Sequence, residues 1–292
     1  MKVSAPAKIN LTLEVTGLEK NGYHTIDTLF AWLELEDTLE FTPAAETSLE
    51  MSVEGVSAKG IALDETNLVI RALRALEKTV GKDLSTHIRL TKRIPAGGGL
   101  GGGSADAAAT LIGINLVHSL GFGQKELLDL ARPLGADVAF GLVGGFARGT
   151  QYGDILEPQR ATLLECPVVL LFPSLACSTP KVYKLWDERP SREANGATER
   201  FLVAKDFSER MNAISNDLEE PAFALHPELR NLKKRMIEAG LQGVCLSGSG
   251  STLFGFLGAD TDFNEIQERL SDLHSKILLT RLKEGTRFEL VS

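Results

Sequence analysis

The segment of this chain with the clearest chemistry is a glycine-rich run, Pro95-Ala96-Gly97-Gly98-Gly99-Leu100-Gly101-Gly102-Gly103-Ser104-Ala105-Asp106-Ala107-Ala108, placed between a strand and a helix. Glycine lets the backbone turn left-handed and approach a ligand closely, and the free N–H groups and dipole of the helix that follows favour an anion. Phosphate binding is the reading this arrangement supports; a mere flexible turn would sacrifice order beside an alanine-rich helix for no return. No lysine precedes Ser104, so the run is not a Walker A loop. Gly97-x-Gly99-x-x-Gly102 fits the dinucleotide fingerprint formally, yet the preceding strand is amphipathic, carries Lys92-Arg93 and ends at Pro95, which argues against a Rossmann unit.

Other groups are ambiguous on their own. Lys8 shares the polar face of a strand with Asn10, so both can point into one cleft, although a strand lysine is ordinarily solvated. Asp137 follows Gly135-Ala136, where an aspartate reads equally well as a helix cap or turn residue. Tyr23 and His24 follow the Asn21-Gly22 turn dipeptide, a place for strand-start packing and a surface imidazole. Ser247-Gly248-Ser249-Gly250-Ser251 reads most simply as a hairpin turn.

The elements that must position these groups follow from periodicity. Residues 8–15 alternate, with Ile9, Leu11, Leu13 and Val15 opposite Lys8, Asn10, Thr12 and Glu14, which predicts a half-buried strand ended by Gly17. A second apolar stretch over 26–35 completes a hairpin. Leu68, Ile70, Leu73, Leu76 and Val80 predict a helix over 67–81 with Thr66 as cap and Gly81 as stop. A strand through Ile88, Leu90 and Ile94 precedes the glycine run, whose helix is expected from Ser104 to about Ser119, with another over 125–134. In the second half the expected elements are strands over 168–172, 244–246, 252–256, 276–282 and 287–291, and helices over 227–239 and 262–273. The polar stretch 187–199 reads as a mobile surface loop. Strands covered on one face, without regular βαβ alternation, predict an α+β fold rather than a doubly wound sheet.

Composition bounds the function classes. The 292 residues, 43% hydrophobic, suit one large domain or two fused ones, and the net charge of −8 without a Lys/Arg run argues against nucleic acid as the main partner. The start of the chain reads as no secretory leader, and no apolar run approaches the roughly 20 residues that span a bilayer, so a soluble, cytoplasmic chain without a membrane partner is expected. Cys166, Cys177 and Cys245 are widely spaced and odd in number, which predicts reduced thiols used in packing.

Three segments together, in this order and spacing, resemble the GHMP kinases: Pro6-Ala7-Lys8-Ile9-Asn10-Leu11, the glycine run with its Ser104 helix, and Leu246-Ser247-Gly248-Ser249-Gly250-Ser251. The segments 21–30, 135–138 and 178–183 resemble in particular the branch of that family that phosphorylates diphosphocytidyl-methylerythritol. The resemblance implies a two-domain α+β GHMP kinase fold. Its N-terminal ATP-binding domain, of ribosomal-protein type, would span residues 1–155, and a ferredoxin-like α/β substrate-binding domain 156–292, with a cleft between. It implies transfer of the ATP γ-phosphate to the acceptor's 2-hydroxyl with Mg2+, the ion held mainly by ATP with Ser104 as its ligand or as a phosphate hydrogen-bond donor, because the family lacks an obvious carboxylate cage.

By that resemblance Asp137 is the base that takes the hydroxyl proton and Lys8 keeps it ionised and polarises the hydroxyl. Asn67, Leu68, Lys92, Pro95, Gly97, Gly98, Gly99, Leu100, Gly101, Gly102, Gly103 and Ser104 would line the ATP site. Tyr23 and Tyr183 would sandwich the cytosine, His24 and Asn10 would read its edge or contact the acceptor, and Thr179 and Pro180 would form part of the same wall. The chain departs from the family pattern at Ala105 and Ala139, where serine and proline are common, and around Gln151 and Tyr152, where the segment looks longer. The implied partner is a small molecule, and the implied state a monomer or weak homodimer. Two alternatives stay open: a GHMP kinase acting on mevalonate, homoserine or a sugar, which would need no base-stacking Tyr23 and Tyr183, and a non-catalytic nucleotide binder, which would need no Lys8 and Asp137.

Overall fold

The apolar alternation near the start of the chain belongs to a hairpin much longer than the run that announces it: β1 spans Lys2–Leu18 and β2 His24–Pro43, paired antiparallel along their lengths. A computed structural model describes residues 1–55, 60–160, 162–189, 195–259 and 261–285. Gly17 lies inside β1 rather than ending it, and the turn forms around Gly22, whose φ of 82° suits glycine. The expected strand over 287–291 lies outside the described residues.

The remaining elements in order are β3 (Ser48–Val53), α1 (Leu68–Val80), β4 (Thr86–Lys92), α2 (Gly102–Val117), α3 (Gln124–Ala131), α4 (Ala136–Val143), β5 (Phe146–Thr150), β6 (Ile155–Pro158), β7 (Pro167–Phe172), α5 (Thr179–Asp187), α6 (Ala197–Val203), α7 (Phe207–Ala213), β8 (Ser215–Asn216), α8 (Glu219–Leu225), α9 (Pro227–Glu238), β9 (Gln242–Leu246), β10 (Leu253–Phe256), α10 (Phe263–Arg269) and β11 (Lys276–Lys283). The sheet runs β3-β4-β2-β11-β7-β10-β9, with β1 on the other edge of β2 and β5, β6 and β8 branching from this path. Because β2 is so long, β5, β11 and β4 pair with successive parts of it: Thr28–Ala31, then Trp32 and Leu33, then Thr38–Pro43. A strand from the second half of the chain is thereby joined to one from the first.

Both faces of the hairpin are covered, so the expectation of a half-buried strand gives way. Phe30 and Trp32 enter the cluster under α1 and α2, whereas Leu29, Ala31 and Leu33 enter the one on the opposite face with Ile9 and Leu11. Lys8, Asn10, Thr12 and Glu14 are consequently buried as well. Buried polar side chains need partners: Lys8 donates to Asn10, Asn10 to Thr28, the Thr12 and Thr198 hydroxyls share a hydrogen bond, and Glu14 Oε2 accepts from Thr198 N.

Local chemistry accounts for the element ends. Asn67, rather than Thr66, caps α1: its side chain accepts from Val69 N, and Gly81 closes the helix at φ 69°. α2 starts at Gly102, two residues before Ser104, and is buried along most of its length by its alanines; at Gly113 a Cβ would lie 2.3 Å from the Phe41 ring. The spacing predicts neither α4–α8 nor the short strands β3, β5, β6 and β8. α5 reaches Asp187 and α6 begins at Ala197, so the polar stretch expected as a loop contains the end of one helix and the start of another; residues 190–194 lie outside the described ones.

Candidate active site

The glycine run forms a partition between two cavities. One, of about 390 Å³, is bounded by Lys8, Asn10, Asp137, Thr179 and Tyr183; the other, of about 420 Å³, by Thr66, Asn67, Leu68, Lys92, Pro95 and Gly102 among others. Gly97, Gly99, Gly101 and Ser104 line both. Gly101, at φ 67°, precedes α2 without any side-chain cap, so the first-turn N–H groups are not engaged by a capping side chain. Such an end suits a phosphate.

Two glycines show why the run cannot carry side chains. At Gly99 a Cβ would sit 2.1 Å from the Ser247 carbonyl oxygen, and at Gly101 it would sit 2.9 Å from Lys8 Cγ. The 247–251 loop is held against the run: Ser247 Oγ donates to Gly99 O at 3.0 Å, Thr252 N to Gly98 O at 3.1 Å, and Lys8 N to Leu100 O at 2.9 Å.

Lys8 and Asp137 meet at the end of the first cavity. Lys8 Nζ lies 3.3 Å from Asp137 Oδ2 and donates to Asn10 Oδ1 at 2.8 Å; Asn10 Nδ2 in turn donates to Thr28 Oγ1 at 2.8 Å. The Lys8 ammonium also stands 5.4 Å from the Phe30 ring centroid. The pairing register of β1 against β2 slips between Pro6 and Lys8 and again between Asn10 and Thr12, irregularities that re-aim side chains at functional positions. Asp137 sits in the first turn of α4, favoured there by the helix dipole, and keeps about a third of its side chain exposed, 34% against 8% for Lys8. The carboxylate thus faces the cavity while its cation is enclosed.

Lys92 is engaged differently from a nucleotide-reading lysine. Its ammonium is enclosed between Asp37 and Asp106, the latter at 2.8 Å, and Asp37 also accepts from Arg93 N and from Ile94 N at 2.9 Å. Burial alone would lower the lysine's pKa, but the two carboxylates outweigh it and hold it above the usual lysine value. Burial pushes the Asp106 carboxyl up, to about 8, helped by the neighbouring Asp37 and opposed by Lys92. Lys92 therefore ties β4, β2 and α2 together behind the second cavity, and the groups it offers to a ligand there are its stem and backbone.

The aromatic residues are distributed in two groups. Tyr183 stacks on His24 at 4.6 Å and 28°, Trp186 packs edge-on to the same imidazole, and His24 Nε2 lies 2.6 Å from Asp187 Oδ1. Burial, with a smaller contribution from the Asp137 charge, raises the pKa of Tyr183, so the ring remains a neutral phenol. Tyr23 instead stands 67% exposed at the hairpin turn, edge-on to Tyr152 at 5.8 Å. The two tyrosines expected to flank a base therefore have different ring neighbours. Thr179 Oγ1 is 2.6 Å from Ser249 Oγ, which joins the start of α5, including Pro180, to the 247–251 loop.

Sequence reasoning passed over Asn216, whose Nδ2 donates to Leu246 O at 2.8 Å and to Gly248 O at 2.7 Å and so fixes that loop; a lone asparagine in Ser-Asn-Asp carries no signal of this. Asp37, Asp106 and Asp187 were passed over for the same reason. Of the three free cysteines, Cys245 is buried and Cys177 lines the first cavity.

Comparison with known proteins decides the family. Residues 67–147 match the model described as GHMP kinases N terminal domain, and residues 198–276 match GHMP kinases C terminal. The chain is 37% identical over 282 residues, 95% of its length and 96% of the relative's, to 4-diphosphocytidyl-2-C-methyl-D-erythritol kinase of Pelotomaculum thermopropionicum. This chain belongs to the GHMP kinase family. The kinase of the same name from Bacillus cytotoxicus is 34% identical over 281 residues, covering 96% of both chains. A crystal structure of 4-(cytidine 5'-diphospho)-2C-methyl-D-erythritol kinase superposes with a TM-score of 0.78 at 34% identity, covering 98% of this chain and 100% of that one. A homoserine kinase from Cytophaga hutchinsonii, at 20% identity and a TM-score of 0.74, shares the fold. GHMP kinases use ATP as phosphate donor, so the two-domain α+β fold and the donor expected from the motifs both hold. No helix among the described residues is long and apolar enough to cross a membrane.

Proposed function

We propose that this chain is a cytoplasmic enzyme that transfers the γ-phosphate of ATP to the 2-hydroxyl of 4-diphosphocytidyl-2-C-methyl-D-erythritol, as the names of its relatives indicate for them. The observation that carries the reading is the 3.3 Å Lys8–Asp137 pair at the end of the first cavity, one glycine run away from the second. ATP occupies the second cavity, with its base near Asn67 and Leu68 and its phosphates on Gly97, Gly98, Gly99, Gly101, Gly102, Gly103 and the start of α2; the acceptor occupies the first. Residues 1–155 supply most of the ATP site, and residues 156–292 supply Thr179, Pro180 and Tyr183 on the acceptor side.

The chemistry follows from those positions. Phosphoryl transfer passes through a loose transition state, so alignment and charge stabilisation do most of the work. Asp137 Oδ2 accepts the proton of the acceptor hydroxyl as its oxygen bonds to the γ-phosphorus; the bond from that phosphorus to the β,γ-bridging oxygen breaks and ADP leaves. Lys8, held by Asn10, orients the carboxylate and steadies the oxygen as it loses its proton. The glycine-run amides and the α2 dipole take up charge on the transferring group. Among the described residues no three His, Cys, Asp or Glu side chains cluster to hold a metal; Asp106, which lines the second cavity, pairs with Lys92 through Oδ2 and leaves Oδ1 without a partner. That donor set fits a magnesium ion carried mainly by the nucleotide phosphates and its waters, with the Ser104 hydroxyl as its ligand or as a phosphate hydrogen-bond donor; the ion would neutralise phosphate charge.

The test is ADP release by the purified protein with ATP and magnesium, comparing the diphosphocytidyl acceptor with mevalonate, homoserine and galactose, in the parent and in Asp137→Ala. Turnover of the cytidyl acceptor alone, lost in the variant, is the expected result. Preference for another alcohol overturns the substrate assignment, and nucleotide binding without turnover of any acceptor overturns the reaction.

A further inference from the structure

Tyr152 lies in the turn between β5 and β6, a segment that no motif of the reaction includes, yet its side chain reaches the rim of the acceptor cavity. The turn is fixed from behind. Ile26 N donates to Gln151 O at 2.7 Å, Gly153 N donates to Thr150 O at 2.9 Å, and a Cβ at Gly153 would come within 3.1 Å of Ile26 Cδ1 and 3.7 Å of the Ala136 Cβ, one residue before Asp137. The Tyr152 ring is therefore carried on backbone that is packed against the catalytic end of the cavity.

One amide joins this ring to the hairpin turn. Asn21 Oδ1 accepts from Tyr23 N at 2.9 Å, while Asn21 Nδ2 donates to the Tyr152 hydroxyl at 2.9 Å. The Tyr23 ring rests edge-on against Tyr152, 5.8 Å between centroids at 65°, and remains 67% exposed. A T-shaped contact covers at most one face of either ring, and a free flat face is what a heteroaromatic base stacks on. An exposed tyrosine on a hairpin turn samples several rotamers, and ordering it on binding costs affinity, so a neighbour that restricts it beforehand strengthens binding.

We propose that Tyr152, which lines the acceptor cavity, is through its edge contact and the Asn21 bridge a positioning residue that holds Tyr23 beside that cavity for the base of a nucleoside-diphosphate acceptor. The inference rests on the proposed function, because it takes the acceptor to carry a base. It accounts for the Asn21 amide contacting both tyrosines.

The test uses cytidine 5'-diphosphate as probe, titrated calorimetrically into the full chain with the nucleotide site filled by a non-hydrolysable ATP analogue, in the parent, Tyr152→Phe and Tyr152→Ala. Loss of an aromatic pair implies binding weaker by about 2- to 12-fold in Tyr152→Ala. Tyr152→Phe, which keeps the ring and loses only the Asn21 bond, should fall between, and the affinity of the ATP analogue should be the same in all three. Equal affinity for the probe in all three proteins, or a parallel loss of affinity for the analogue, overturns the inference while leaving the proposed function in place. A parent that binds the analogue but not the probe overturns both.

Discussion

At the scale of single residues, the reactive pair is defined by an asymmetry of exposure. Lys8 is enclosed by Asn10, Phe30 and the glycine run, whereas Asp137 opens to the cavity, so in the proposed reaction the cation supports and the carboxylate reacts. Asp137→Asn keeps the shape and removes the base; we expect turnover to fall by about 10²- to 10⁴-fold with the affinity for the ATP analogue little changed, measured by single-turnover ADP formation. A fall of less than about threefold would remove Asp137 from the mechanism. Neither member of this pair was legible from its own type and position, since a strand lysine and an aspartate after Gly-Ala have commoner uses. Their motifs made them legible. Asn216, Tyr152 and Asp187 belong to no motif, and they matter only because distant segments fold against them.

At the scale of elements, the question is what holds the start of α2 and the glycine run in register with β1. One answer is the buried Asp37–Lys92–Asp106 cluster, which joins β2, β4 and α2. Removing one partner of a buried ion pair is far more damaging than replacing all of it, because uncompensated charge remains. Lys92→Met should therefore lower stability by about 3–5 kcal/mol in urea unfolding, and Asp106→Asn, whose charge is already disfavoured by burial, by much less. Equal losses in the two variants would refute this account. The second answer is the 247–251 loop, against which the run packs without space for a side chain. Gly99→Ala combines a left-handed backbone, φ 77°, with a Cβ 2.1 Å from Ser247 O, and should lose at least about 1–2 kcal/mol together with most ATP affinity, measurable by thermal melts and by titration with the ATP analogue. Several element types were readable from periodicity: the hairpin, α1, α2, α9, β9, β10 and β11 fall where spacing puts them. α4 and α5 escaped notice because they are short; α4 is mostly buried and apolar, so it has no polar face to reveal its period, and α5 begins at a Ser-Thr-Pro that reads as loop.

At the scale of the whole molecule, β11 pairs with β7 on one side and β2 on the other, and Lys283 Nζ donates to Glu36 Oε2 at 2.8 Å across the same junction. β8 adds a second link to β1. With one sheet running through both halves, denaturant unfolding should be a single transition. The midpoint followed by the fluorescence of Trp32 in a Trp186→Phe variant should coincide with that from far-UV circular dichroism, and two separated midpoints would refute the linkage. Taken alone, the sequence determined that a glycine run joins a strand to a helix in the manner of an anion site, that the fold is α+β and that the chain belongs among the GHMP kinases, because these properties are written in local spacing and in motifs of contiguous residues. Only the tertiary structure decided that the hairpin is buried on both faces, that Lys92 serves two aspartates, that His24 covers Tyr183 and that Tyr23 leans on Tyr152. Each of those is a contact between segments far apart in the chain, and such pairing is set by how layers pack rather than by any periodicity a single segment can carry.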